Sequence, residues 1–179
     1  MKNITAHVDL RYVEIDDAEF ILSLRLDKKK NKYLSSVEDD LKVQKEWIAA
    51  YKEREKDGLE YYYVIEERHD EFHESLGVVR LYNFKESSFC WGSWILKDGA
   101  PAYAAIESAL NIYEEAFFSL FFLRSEFDVR KKNVKVVNFH KRFGATIIGE
   151  DELNYYFNLD KETYVNKKNK YKKFFLSAT

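Results

Sequence analysis

The sequence predicts an α+β fold built on a mixed, mostly antiparallel sheet of about seven strands, with the elements in the order βααβββαβαββ. Apolar residues switch repeatedly between strict alternation and three-to-four spacing along the chain, which marks strands and amphipathic helices in turn. Only one proline and six glycines interrupt 179 residues, so these elements follow one another through short turns. A hydrophobic fraction of 46% suffices for a sizeable core. With no linker, composition shift or internal repeat, one domain over residues 1–179 is expected.

Residues 8–13 alternate as the first strand, and Asp16 or Asp17 is placed to cap a helix carrying Phe20, Ile21, Leu24 and Arg25. Residues 38–56 form a longer, charged helix with Leu41, Trp47, Ile48 and Tyr51 on one stripe, ended by Asp57 and Gly58. Residues 61–66 and 76–84, rich in aromatic and β-branched side chains, read as an antiparallel hairpin around a solvated polar loop at 66–75. Residues 89–96 add a strand. Helical spacing returns at 103–120, where Ala105, Ala109, Ile112, Ala116 and Leu120 share a side, and residues 121–129 are again a strand. Asn133 then starts a helix of about three turns that Gly144 stops, because Asn caps free N–H groups and Gly tolerates positive φ. Residues 145–149 and 155–159 close the sheet. The core therefore spans 8–159, and 160–179, with its lysine-rich run at 167–173, reads as a polar basic tail with a solvated helix end.

Composition excludes several classes of function. Lys and Arg (29) nearly balance Asp and Glu (31), so the net charge of −2 provides no field for nucleic acid or an anionic membrane. No window reaches the ~18 apolar residues of a membrane helix, and no basic segment followed by an apolar run opens the chain; a soluble, cytoplasmic protein is expected. The single Cys90 excludes an intrachain disulfide and a multi-cysteine zinc site. His69 and His73 lie four apart but within the polar run, and no metal site is expected. Aromatic residues reach 17%, with 13 Tyr and 14 Phe.

The stretch Asp128-Val-Arg-Lys-Lys-Asn133, followed by Phe139-His-Lys-Arg-Phe-Gly-Ala145, resembles the second half of the general N-acetyltransferase (GNAT) fold. In that family a strand enters an Asn-started helix, with a Tyr seven residues after the Asn and a Gly-Phe four residues later. Asn133 and Gly144 match; His140 stands for the Tyr and Ala145 for the Phe. The element order agrees from residue 8 to 159. The resemblance implies an α/β/α arrangement with a splayed central strand, and transfer of acetyl from acetyl-CoA to a primary amine by direct attack. It places the pantetheine along Trp94, Ile95 and Leu96, and the pyrophosphate at Lys97, Asp98, Gly99, Ala100, Ala102 and Tyr103, where free N–H groups of a helix start favour anions. Asn133 completes the coenzyme set. The phosphate loop is irregular: it fits the family pattern from either Lys97 or Asp98, and Pro101 removes one donor.

By the same resemblance, Asp128 occupies the position of a proton-accepting carboxylate, and His140 that of the group that protonates the leaving thiolate, which an imidazolium could do near neutral pH. A strand Asp paired with Arg130 or Arg80, and a helical His facing solvent, are the structural alternatives. Cys90, between Phe89 and Trp91, reads as core packing, and Trp91, Trp94 and Tyr103 as acceptor-cleft or core aromatics. Residues 10–25 resemble the branch that acetylates ribosomal proteins and nucleotide-linked amino sugars. The aromatic surplus with Arg25, Arg80 and Lys97 suits an amino sugar joined to a nucleotide. A peptide N-terminus, which needs an open groove, and a GNAT scaffold that has lost the coenzyme remain alternatives, as does a homodimer through the closing strands.

Overall fold

The structure, a computed structural model, describes residues 4–176. Seven strands form one sheet in the order β1-β2-β3-β4-β5-β7-β6. They are β1 Val8–Tyr12, β2 Tyr61–Arg68, β3 His73–Tyr82, β4 Ser88–Leu96, β5 Arg124–Arg130, β6 Thr146–Glu150 and β7 Asn154–Asp160. Every neighbouring pair is antiparallel except β4 and β5. The helices are α1 Ala18–Leu26, α2 Leu41–Lys56, α3 Ala102–Glu114, α4 Val134–Phe143 and α5 Lys161–Lys168. Helices α1 and α2 cover one face, where Ile21, Ile48 and Tyr51 pack on Tyr62, Val64 and Val78. The other face carries α3 and α4, with Leu110, Tyr113 and Phe143 against Leu81, Trp91 and Phe127. Strand β2 is buried on both sides, which explains its unbroken apolar run.

Helix α2 starts later than expected because Asp40, not Glu38, caps it: its carboxylate accepts from the N–H of Lys42 (2.7 Å) and Val43 (3.2 Å). Its buried stripe holds Ile48 and Tyr51, while Leu41 and Trp47 stay over a third exposed. The polar run at 66–75 is largely strand, since pairing continues to Arg68 opposite His73. Its charges satisfy one another there, as Arg68 with Asp9 and Arg11 with Glu66 (2.9 Å). Helix α3 ends in a wide turn over Glu115–Ser119, and Phe121 takes a left-handed φ of 62°, so β5 begins only at Arg124. Beyond β7 the chain stays attached: Tyr164 of α5 is fully buried, Tyr171 stacks on Phe143 at 4.6 Å, and Phe175 bridges to Thr5. Lys170, Lys172 and Lys173 face solvent as the basic run suggested.

Candidate active site

The site begins with an irregularity in β4. Val78 pairs with Ile95 and Arg80 with Gly92, so Ser93 and Trp94 together oppose the single residue Val79. Ser93 takes φ 48° in this bulge, which interrupts the ladder before pairing with β3 resumes at Ile95 and Leu96. On its other side β4 pairs with parallel β5 only at Ser88–Arg124 and Phe89–Ser125. Beyond Phe89 the strands part, and the wedge holds a cleft of about 250 Å³. The splayed central strand expected from the resemblance is thus present.

The two sides of the wedge differ chemically. Along β5, Phe127 and Val129 point to the α3–α4 core, whereas Asp128 alternates to the opposite, open face. Toward the core, the His140 ring sits 4.3 Å from Phe127, 5.1 Å from Trp91 and 6.0 Å from Phe157. It is only 4% exposed, its Nδ1 has no hydrogen-bond partner, and burial pushes its pKa down to about 3. His140 therefore does not face solvent, and its burial disfavours the imidazolium form. Helical spacing cannot reveal this, because the cage is supplied by three distant strands.

Asp128 lines the cleft and the adjoining open depression beside Tyr156. Neither Arg130 nor Arg80 pairs with it; among the described residues its carboxylate makes no hydrogen bond or ion pair, while Arg80 pairs with Glu60. Across the wedge stand Tyr82 and Cys90, and the charge of Asp128 adds to the burial that raises both hydroxyl and thiol. Cys90 is buried and pushed up to about 11, which leaves it a core thiol, not a nucleophile. Tyr82 places its Oη 2.9 Å from where a Cβ on Gly92 would lie, so a larger residue there would displace the tyrosine hydroxyl.

The expected coenzyme residues divide into two groups. Trp94 and Asn133 line the cleft with Asp128 and His140. Asn133 occupies the N-cap position of α4, yet its side chain makes no capping bond. Ile95 and Leu96 instead contribute their side chains to opposite cores and offer only backbone. The Lys97 ammonium is bound by Glu74, and its N–H donates to Leu76 O at 2.7 Å. Asp98 pairs with Lys30 at 2.8 Å, and Gly99 takes φ 79°. Pro101 is the N-cap of α3 rather than its first residue; the first backbone bond is from Ala104 N–H to Pro101 O at 2.9 Å. No side chain caps this end, so the N–H groups of Ala102 and Tyr103 remain directed outward as an anion cradle would need. The Tyr103 side chain leaves the cleft, stacking on His7 at 4.4 Å with its hydroxyl on Glu67. His69 and His73 also separate, facing Glu67 (3.6 Å) and Glu66 (3.5 Å) respectively.

A second cavity, of about 360 Å³, lies between α1, α2 and the sheet and meets the cleft at Ser93. Arg25, Trp47 and Arg80 line it. The sequence pattern had assigned Trp47 to the helix core.

A sheet split at a bulged central strand, with an uncapped helix start after it and a carboxylate at its parting, is the arrangement that the GNAT resemblance implies. Residues 7–146 match the acetyltransferase (GNAT) domain family, and the chain belongs to it as a GNAT-type N-acetyltransferase. Apo FdhC, a nucleotide-linked sugar GNAT, is 45% identical, with a TM-score of 0.88 over 97% of this chain and 98% of its own. The spermidine N-acetyltransferase of Vibrio cholerae, solved with CoA and spermine, shares the fold at 19% identity, with a TM-score of 0.73 over 89% of this chain and 98% of its own. No curated protein sequence gave a significant match. Among the described residues no helix is long and apolar enough to cross a membrane.

Proposed function

We propose that the chain transfers the acetyl group of acetyl-CoA to the amine of a nucleotide-linked amino sugar, with Asp128 as proton acceptor. The observation that carries the acid–base assignment is the unpaired Asp128 carboxylate where β4 and β5 part. The acceptor class draws support from the 45% identity to a nucleotide-linked sugar GNAT over nearly the whole length of both chains. Two arginines in the adjoining cavity also favour an anionic acceptor over a polyamine, whose like charge they would repel.

Acetyl-CoA supplies the thioester that the amine attacks. An ammonium has no lone pair, so Asp128 takes its proton, directly or through one water, before the new C–N bond forms and the C–S bond breaks. The outward N–H groups of Ala102 and Tyr103 hold the pyrophosphate, and Trp94 and Asn133 border the arm. His140, neutral within its aromatic cage, shapes and dries the cleft; the leaving thiolate is protonated from water.

A thermal-shift titration with acetyl-CoA, and with CoA beside it, tests the coenzyme site. Binding adds about 2.7 kcal/mol of stability at a hundredfold excess over Kd. Absence of any shift at millimolar ligand would overturn the proposal. Acetylation of nucleotide-linked amino sugars in preference to free amino sugars and spermidine is the expected acceptor profile.

A further inference from the structure

The cavity beside the cleft holds more positive charge than its surroundings neutralise. Arg25 donates from Nη2 to the carbonyl and the hydroxyl of Ser35, both at 2.9 Å, but no carboxylate pairs with it among the described residues. Its Nε is buried without a partner. Arg80 reaches Glu60 with one arm, yet its own Nε is likewise buried and unpartnered. Tyr62, only 2% exposed, lines the same space with its hydroxyl beside the Arg25 guanidinium. The three residues line one cavity, and polar atoms left incompletely satisfied at its wall are costly. Glu38, the one acidic residue among those lining it, stands exposed at the rim.

The aromatic side of the cavity is equally distinctive. Trp47 keeps 37% of its surface exposed, edge-on to Tyr62 at 5.8 Å, with the guanidinium of Arg80 at 5.4 Å and that of Arg54 at 5.6 Å. Paired guanidinium forks recognise phosphate oxygens, and the part of the indole left exposed beside Tyr51 and the two guanidinium groups offers apolar contact to a base. Ser93 borders both spaces, so a ligand anchored here extends a short group into the wedge where Asp128 stands.

We infer that this cavity is the nucleoside-diphosphate subsite of the acceptor, with Arg25, Arg80 and Tyr62 on the phosphates and Trp47 against the base. The assignment rests on the nucleotide-linked acceptor proposed above. Of the three basic residues suited by type to a nucleotide-linked acceptor, Arg25 and Arg80 line this cavity, whereas Lys97 is paired with Glu74.

The test compares wild type with Arg25→Gln, chosen because its loss strands no carboxylate, and with Arg25→Lys as the conservative control. UDP and dTDP should each raise the melting temperature of wild type and compete with the acceptor but not with acetyl-CoA. Arg25→Gln should weaken UDP binding about tenfold or more and raise the acceptor KM in proportion, with kcat and the acetyl-CoA KM within about threefold; Arg25→Lys should recover part of that loss. Unchanged UDP binding in Arg25→Gln, or competition of UDP with acetyl-CoA alone, overturns the subsite. If wild type acetylates no nucleotide-linked amino sugar while UDP binding still depends on Arg25, the acceptor proposal falls and the anion subsite stands. Turnover of such a sugar with an unaltered acceptor KM in Arg25→Gln has the opposite meaning.

Discussion

The two faces of the wedge between β4 and β5 are separated by one strand's thickness, yet they are prepared for opposite tasks. The face toward α3 and α4 is dry: Trp91, Phe127 and Phe157 enclose a histidine so completely that it does not charge near neutral pH. The face toward α1 and α2 keeps an unpaired carboxylate at Asp128 and two incompletely satisfied arginines in the next cavity. Alternation along one strand produces the contrast, since Phe127 and Asp128 are consecutive residues. The lesson is that a family position does not carry its chemistry with it. His140 and Asp128 both stand where the resemblance places acid–base residues, but burial disfavours the charged form of the first, while the carboxylate of the second lines the cleft.

Three substitutions would break or sharpen this contrast. The largest effect is expected from Asp128→Asn, which removes the unpaired carboxylate lining the cleft: kcat/KM for the amine should fall about 10²–10⁴-fold in steady-state assays. A loss within threefold would shift proton removal to a water chain and erase the functional asymmetry of the two faces.

An intermediate effect is expected from His140→Phe, and it should appear in stability against pH. The unfolded chain's imidazole titrates near its ordinary value of about 6.5, whereas burial lowers the folded one to about 3. Above 6.5 both states are neutral and the residue adds no pH dependence. Between about 6.5 and 3 only the unfolded state binds the proton, so wild type loses up to about 1.4 kcal/mol per pH unit as pH falls. Urea titrations across this range should give a shallower acid slope for His140→Phe. Equal slopes would mean that the ring charges inside the fold and that the dry face is wetter than its geometry indicates.

The smallest effect should come from Lys97→Ala. Because its ammonium is held by Glu74, the acetyl-CoA KM should change by no more than about threefold. A tenfold rise would show that Lys97 leaves Glu74 for the pyrophosphate, and that both faces use charge.

Much of the fold could be read before any coordinates. The strand and helix order, the Gly144 stop with φ 103° and the early separation of β4 from β5 follow from periodicity, turn chemistry and the family pattern. Boundaries moved where long-range pairing competed with local signals. Residues 66–75 look like a loop locally, but β1 on one side and β3 on the other supply partners for their backbone and charges. Trp47 has the spacing of a core residue, but helix α2 turns it toward a cavity that only the packing of α1 against the sheet creates.

The sequence alone determined the elements, their order, the GNAT resemblance and the identity of a carboxylate at position 128, because periodicity, capping and turn propensity act over a few residues. The tertiary structure alone decided which groups are charged, which are caged and which converge: the neutrality of His140, the isolation of Asp128, the occupation of Lys97 by Glu74, and the meeting of Arg25, Arg80 and Trp47. Each of these depends on residues far apart in the chain brought within a few ångströms, and solvation and Coulomb energy are set by that distance and by the water it excludes.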